Sequence, residues 1–285
     1  LNQVMRAKLV RGAGLIMPGA ANALAARVIE ATGHEVMMVS GAAVANTYLG
    51  VPDIGLVSVT ELAGHVAAVR EAVNIPILAD ADTGFGNAIN TRRTVQVLER
   101  AGANAIMLED QTYPKRCGHF EGKDVIPKAE MVAKLKAAVD ARVDPDLMIL
   151  ARTDARAVEG FEAALDRARA YREAGADFLF VEAPLTKEEL LAIPREVGGI
   201  HLCNMVIGGK TPLLPREELA AAGYAVVCYA NAALQASLLA MQSVLSHLHD
   251  KGSIAGIESQ LMMFAERQKV LDAGKFQALE KKYVA

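Results

Sequence analysis

Short apolar runs, each closed by a turn signal, recur along this 285-residue chain with longer amphipathic stretches between them. The runs occupy 14–17, 36–39, 75–78, 105–108, 147–150, 178–181, 201–203 and 225–228. Unbroken apolarity over so few residues marks strands buried on both faces, as in a parallel sheet covered by helices. The intervening segments, such as 92–101, 128–142, 161–174 and 187–197, carry apolar residues at helical spacing. Ala101-Gly102-Ala103 and Ala174-Gly175-Ala176 supply glycine where a helix must exit through a left-handed residue. Eight strand–helix alternations in a chain of this length predict a (β/α)8 TIM barrel forming one domain over 1–285, with an open doubly wound sheet as the alternative.

Residues 231–285 exceed what one barrel helix needs, and Phe264, Val270, Leu271, Phe276 and Leu279 continue the helical spacing. Surplus amphipathic helix of this kind packs on a partner subunit or covers the barrel's own outer face; the first is the expectation here.

Composition narrows the function without naming it. With 52% hydrophobic residues the chain can bury one large core, and a net charge of −3 with both signs interspersed lacks the basic field that nucleic acid or an anionic membrane requires. No apolar stretch approaches a membrane span, and residues 1–11 show no hydrophobic segment followed by a small-residue cleavage site, so a cytoplasmic protein acting on a small molecule is expected. Three cysteines, Cys117, Cys203 and Cys228, fit neither a disulfide framework nor paired zinc spacing, and the last two sit in apolar runs as core residues.

In a barrel of this kind the reactive groups stand at the carboxyl ends of the strands. Those ends read Ser40-Gly41-Ala42, Asp80 and Asp82, Glu109 and Asp110, Arg152, Glu182 and Asn204. Converging carboxylates repel unless a cation neutralises them; Asp80, Asp82 and Glu109 offer only oxygen, which suits Mg²⁺ or Mn²⁺. The competing reading pairs these acids with Arg92, Arg93 or Lys115. Arg152 presents a planar fork for a carboxylate, unless Glu182 takes it, while Asn204 and the amides at 40–42 add donors for the same ligand. Lys115-Arg116-Cys117-Gly118-His119 sets a thiol between two cations and an imidazole, surroundings that favour the thiolate and proton exchange.

Two motifs are set aside. Gly208-Gly209-Lys210-Thr211 resembles the end of a phosphate loop, but Asn204 stands where its first glycine belongs, and Gly84-Phe85-Gly86 lacks the remaining glycine of a dinucleotide fingerprint. His247 and His249 lie on a polar part of a helix and are read as solvated.

Taken in order, the blocks Gly50-Val51-Pro52-Asp53-Ile54-Gly55, Asp80 to Asn87, Leu108-Glu109-Asp110-Gln111, Lys115 to His119, Ala151 to Ala155 and Val181-Glu182-Ala183 resemble the isocitrate lyase and phosphoenolpyruvate mutase superfamily over nearly the whole chain. The resemblance implies a barrel whose eighth helix is exchanged between subunits, in a homotetramer built as a dimer of helix-swapped dimers. It implies Mg²⁺ held directly by Asp80 and through waters by Asp53, Asp82 and Glu109. Substrate would contact Ser40, Gly41, Ala42, Asp53, Arg152, Glu182 and Asn204, and Cys117 would be the general acid on a mobile loop, with Lys115, His119, Arg152 and Glu182 in the catalytic set.

The Cys-containing loop resembles the lyase branch, in which a 2-hydroxy acid is cleaved between C2 and C3. Phe120-Glu121-Gly122-Lys123 and the stretch 205–212 resemble the alkylmalate lyases and the carboxyphosphonoenolpyruvate mutases more than the methylisocitrate lyases, implying a dicarboxylate substrate; Met38 and Ala230-Asn231-Ala232 depart from the superfamily's usual residues near the substrate. The alternatives are a carboxyphosphonoenolpyruvate mutase and an oxaloacetate decarboxylase or hydrolase.

Overall fold

The computed structural model describes residues 1–118 and 120–284. Eight parallel strands close into a barrel in chain order: β1 (Leu15–Ala20), β2 (Met37–Val39), β3 (Ile77–Asp80), β4 (Ala105–Glu109), β5 (Met148–Thr153), β6 (Phe178–Val181), β7 (His201–Asn204) and β8 (Val226–Tyr229), with β8 returning to pair β1. All eight apolar runs are strands. Some boundaries differ from those read in the sequence. β1 runs through Pro18 to Ala20, where Gly19 is needed because a Cβ there would lie 2.0 Å from the Ala230 carbonyl oxygen. The helix after β3 begins at Ala88, not 92, because Asn87 caps it by accepting from the Ile89 and Asn90 amides.

The period of two along each strand divides the core into two layers. Met37, Ile77, Ile106, Ile149 and Leu179 face the helices, whereas Met38, Leu78, Met107, Leu150, Phe180, Leu202 and Cys228 fill the barrel interior. The amino-terminal helix Asn2–Lys8 adds Met5 to that interior cluster. The barrel is therefore plugged by side chains at its base, which leaves its carboxyl end as the place for a cavity.

Beyond β8, helix Ala232–Lys251 stops at Gly252, a left-handed residue, and is followed by Phe264–Val270 and Ala273–Tyr283. The expected surplus helix is present. The last two helices contain no buried residue, and Leu239, Leu245, Phe264 and Phe276 are exposed. Among the described residues no helix is long and apolar enough to cross a membrane.

Candidate active site

Two residues beyond each interior apolar position comes the next inward position, and there the chemistry changes. Met38 is followed by Ser40, Leu78 by Asp80, Met107 by Glu109, Leu150 by Arg152, Phe180 by Glu182, Leu202 by Asn204 and Cys228 by Ala230. All but Glu109 line a cavity of about 40 Å³ at the carboxyl end of the barrel. Glu109 is buried beside Arg152, its neighbour in the β4–β5 register.

The acids of β3 and β4 gather around one ammonium. Lys115, with 3% of its side chain exposed, puts Nζ 2.6 Å from Asp53 Oδ1 and 2.9 Å from Asp82 Oδ1. Asp82 reaches this point through a left-handed backbone (φ 47), a strained conformation for a residue with a Cβ. Gly41 closes the same cluster: its amide donates to Asp80 Oδ2 at 3.1 Å, and a Cβ would press on both the Asp80 and Asp82 carboxylates.

Too few cations face these acids. Burial raises the Asp82 carboxyl to about 7; Lys115 opposes the rise, and Asp80 and Asp53 add to it. Burial likewise pushes Glu109 well above the usual carboxylate range, against the pull of Arg152 and Lys115. Burial works against the Lys115 charge too, but Asp82, Glu109, Asp53 and Asp80 outweigh it and keep the ammonium protonated. Neither oxygen of Glu109 has a hydrogen-bond partner, although Arg152 Nε stands 3.3 Å from Oε2.

Arg152 sits among three carboxylates. Its Nε and Nη2 donate to Asp154 at 2.8 and 3.0 Å, Glu182 Oε2 is 3.1 Å from Nη2, and the guanidinium lies over the Phe180 ring. Asp154 resists the upward push of burial because Arg152 and Lys123 hold it well below the usual carboxylate range. Asp110 fastens the arrangement from behind, accepting from the Asp154 amide, the Thr153 and Tyr171 hydroxyls and Arg167.

The loop after β4 lies over the cavity. Cys117 and Gly118 line it, and the Cys117 amide donates to the Asp53 carbonyl. Gly118 packs so closely that a Cβ would come within 2.5 Å of Glu182 Oε2 and 2.6 Å of Arg152 Nη2. The loop is thus in a closed position.

The structure brings together Ser40, Ala42, Asp53, Asp80, Cys117, Arg152, Glu182 and Asn204 on the cavity wall, with Gly41, Asp82, Glu109 and Lys115 packed against them. His119 lies outside the described residues. Two details differ from the expectations, and a third bears on the competing reading. Lys115 faces Asp53 and Asp82, so its charge is engaged with the strand-end carboxylates. The Gly41 amide is taken by Asp80, which leaves less of an anion nest at 40–42. Arg92 and Arg93 are exposed and pair with none of the strand-end acids.

Cys203 is an inert core thiol, raised well above its usual range by burial, whereas Cys228, equally buried, also lines the cavity. Sequence reading quoted Asp154 and Lys123 within the resemblance blocks but gave neither a role of its own. The spacing of two in Arg152-Thr153-Asp154, which puts both charges on one side of a strand, was the available signal for Asp154; nothing local marks Lys123.

The family described as phosphoenolpyruvate phosphomutase matches residues 5–249. The chain belongs to this family. It is an enzyme of the isocitrate lyase/phosphoenolpyruvate mutase superfamily. Among its phosphomutase-family relatives, 2,3-dimethylmalate lyase of Eubacterium barkeri is 43% identical over 269 residues, 94% of this chain and 93% of the relative. The 2-methylisocitrate lyase of Aeropyrum pernix is 45% identical over 247 residues, 87% of this chain and 79% of the relative. Phosphonopyruvate hydrolase, solved in complex with oxalate and Mg²⁺, superposes with a TM-score of 0.89 at 31% identity, covering 100% of this chain and 99% of the other.

Proposed function

We propose that the chain is a carbon–carbon bond lyase that cleaves a 2-hydroxydicarboxylate of the alkylmalate type, such as 2,3-dimethylmalate, between C2 and C3. The observation that carries this reading is the seating of Cys117 over a cavity that contains a single guanidinium, Arg152, with apolar Met38, Phe180, Leu202 and Cys228 on the remaining wall. Among the described residues Arg152 is the only Lys or Arg on that wall, which suits two carboxylates and alkyl substituents better than a third carboxylate. The similarity to 2,3-dimethylmalate lyase supports the same substrate class.

A hard divalent cation, Mg²⁺ or Mn²⁺, fits the acids present. All donors are oxygens, the carboxylates outnumber the cations around them, and both Glu109 oxygens lack hydrogen-bond partners. Among the described residues no three His, Cys, Asp or Glu side chains are grouped as a ligand set. Magnesium needs no such set, since it retains waters and takes one or two carboxylates. Asp80 would hold the ion directly and Asp53, Asp82 and Glu109 its waters; when bound, it supplies positive charge that polarises the substrate's oxygens.

Arg152 and Asn204 orient the carboxylate next to C2, and Ser40 and Ala42 close the adjoining wall. The C2 hydroxyl proton passes to a base, a role given in this reading to Glu182; C2 becomes a carbonyl, and the C2–C3 electron pair goes to C3 as the enediolate of the departing acid. The Cys117 thiol then delivers its proton to C3. Lys115 and His119 complete the catalytic set in this reading, Lys115 by holding Asp53 and Asp82 in place.

Incubation with alkylmalates, 2-methylisocitrate, oxaloacetate and phosphonopyruvate in the presence of Mg²⁺, following release of 2-oxo acid, CO₂ or phosphorus transfer, tests the assignment. Pyruvate and propionate from 2,3-dimethylmalate are expected. Turnover confined to 2-methylisocitrate would replace the dicarboxylate assignment, and phosphorus transfer without oxo acid would favour a mutase.

The same reading treats 1–285 as one cytoplasmic barrel domain with 231–285 as an oligomerisation segment in a homotetramer. The exposed Leu239, Leu245, Phe264 and Phe276 support it, and light scattering of the purified chain measures it.

A further inference from the structure

We propose that Lys123 is the latch of the Cys117 loop, a positioning residue that holds the loop shut and couples its closure to Arg152. This rests on the reading that the loop carries the general acid. Lys123 belongs to an otherwise exposed segment: Phe120 and Glu121 face solvent, and Gly122 turns through a left-handed backbone. Its own side chain is nevertheless only 2% exposed. An ammonium is buried at high cost unless paired, and here the partner is Asp154, 0% exposed, at 2.7 Å.

The same Nζ donates to the Gly118 carbonyl, so one cation joins the loop's tip to the barrel. Asp154 Oδ1 also accepts from Arg152 Nη2. Lys123 and the guanidinium therefore share one carboxylate, which Asp110 fixes through the Asp154 amide.

Among the described residues two other lysines tie the loop down, and neither has this position. Lys115 is engaged with Asp53 and Asp82 at the opposite side of the cavity. Lys210 meets Glu121, which is 89% exposed, in a pair that solvent screens. Lys123 does not line the cavity and touches no reacting atom; its effect passes through Gly118 and Asp154. Because Gly118 already packs against Arg152 and Glu182 without room for a Cβ, the latch sets the depth at which Cys117 is presented.

The test measures alkylation of Cys117 by iodoacetamide, resolved by peptide mass spectrometry, with Cys203 as buried reference, in wild type, Lys123→Met and Lys123→Arg. Loss of the charge-assisted hydrogen bonds to Asp154 and the Gly118 carbonyl predicts alkylation at least about 10- to 100-fold faster in Lys123→Met, with recovery in Lys123→Arg and Cys203 unaffected. Cleavage of an alkylmalate should fall in Lys123→Met and recover in Lys123→Arg. Unchanged Cys117 alkylation, or equal acceleration at Cys203, overturns the latch. Should Lys123→Met fail to fold, Lys123→Gln takes its place in the same comparison. Alkylation needs no substrate, so a wild type that cleaves no 2-hydroxydicarboxylate would end the lyase reading while the alkylation contrast still decides the latch.

Discussion

The two ends of the barrel strands handle buried polar groups in opposite ways. At the amino ends, acceptors are matched to strand amides and to Arg142, although His201 Nδ1 and Arg6 Nε have no hydrogen-bond partner among the described residues. Asp177 accepts from Arg142 and the Ile149 amide, Asn104 accepts from the Ile77 amide, and His201 Nε2 donates to the Gly198 carbonyl. At the carboxyl ends, acids face acids across Lys115 and Arg152, Glu109 lacks hydrogen bonds, and Asp82 and Ala183 take left-handed backbones. One end spends its polar groups on holding strands in register; the other concentrates charge and strain where a ligand can use them.

Variants that separate activity from stability test this contrast. The largest effect belongs to Cys117→Ser. Loss of the general acid should lower alkylmalate turnover by about 10²- to 10⁴-fold, with a near-native melting curve and oxalate binding retained, both measurable by calorimetry. Equal turnover in wild type and variant would remove the thiol from the reaction.

At the amino end, burial lowers His201 to about 4, so its imidazole stays neutral in the folded chain while the unfolded chain takes up a proton near the ordinary value of 6.5. Folding stability is then intact above pH 6.5 and is lost as pH falls toward 4, by roughly 3 kcal/mol. In His201→Gln the contribution disappears, and denaturant midpoints across that window should flatten. A wild-type midpoint that holds steady from pH 6.5 to 4 would contradict this account.

Asp177→Ala strips Arg142 and the Ile149 amide of their acceptor and should cost about 2 kcal/mol in urea unfolding, with turnover per folded molecule unchanged. The smallest change in stability is expected for Glu109→Gln. Burial already pushes this carboxyl toward its neutral form, so exchange for an amide should change stability by less than about 1 kcal/mol, unlike an amino-end substitution. A strongly destabilised Glu109→Gln would show that the carboxyl end is not held under electrostatic strain.

Much of this contrast was legible in the chain. Every apolar run became a strand, because unbroken apolarity over a few residues is a local signal that tertiary contacts reinforce. The strand-end acids were placed by following each apolar run to its carboxyl end, and the structure adds that a period of two carries Leu78 to Asp80 and Met107 to Glu109. Charge partners were less legible. Lys115 was read beside its neighbour Cys117, yet it reaches back across 62 residues to Asp53. Lys123 sits in a hydrophilic segment that reads as solvent-exposed, and its burial depends on how the loop folds over β5.

The sequence by itself determined the alternation of strands and helices and the strand ends at which polar side chains gather, since each follows from patterning within a few residues; closure into a barrel, left open beside a doubly wound sheet, was decided by β8 pairing β1. Only the tertiary structure decided which cation meets which acid, that Asp154 is shared by Arg152 and Lys123, and that Gly118 lies against the guanidinium. Ionic pairing depends on distances between segments remote in the chain, and one or two ångströms there decide whether a buried charge is compensated.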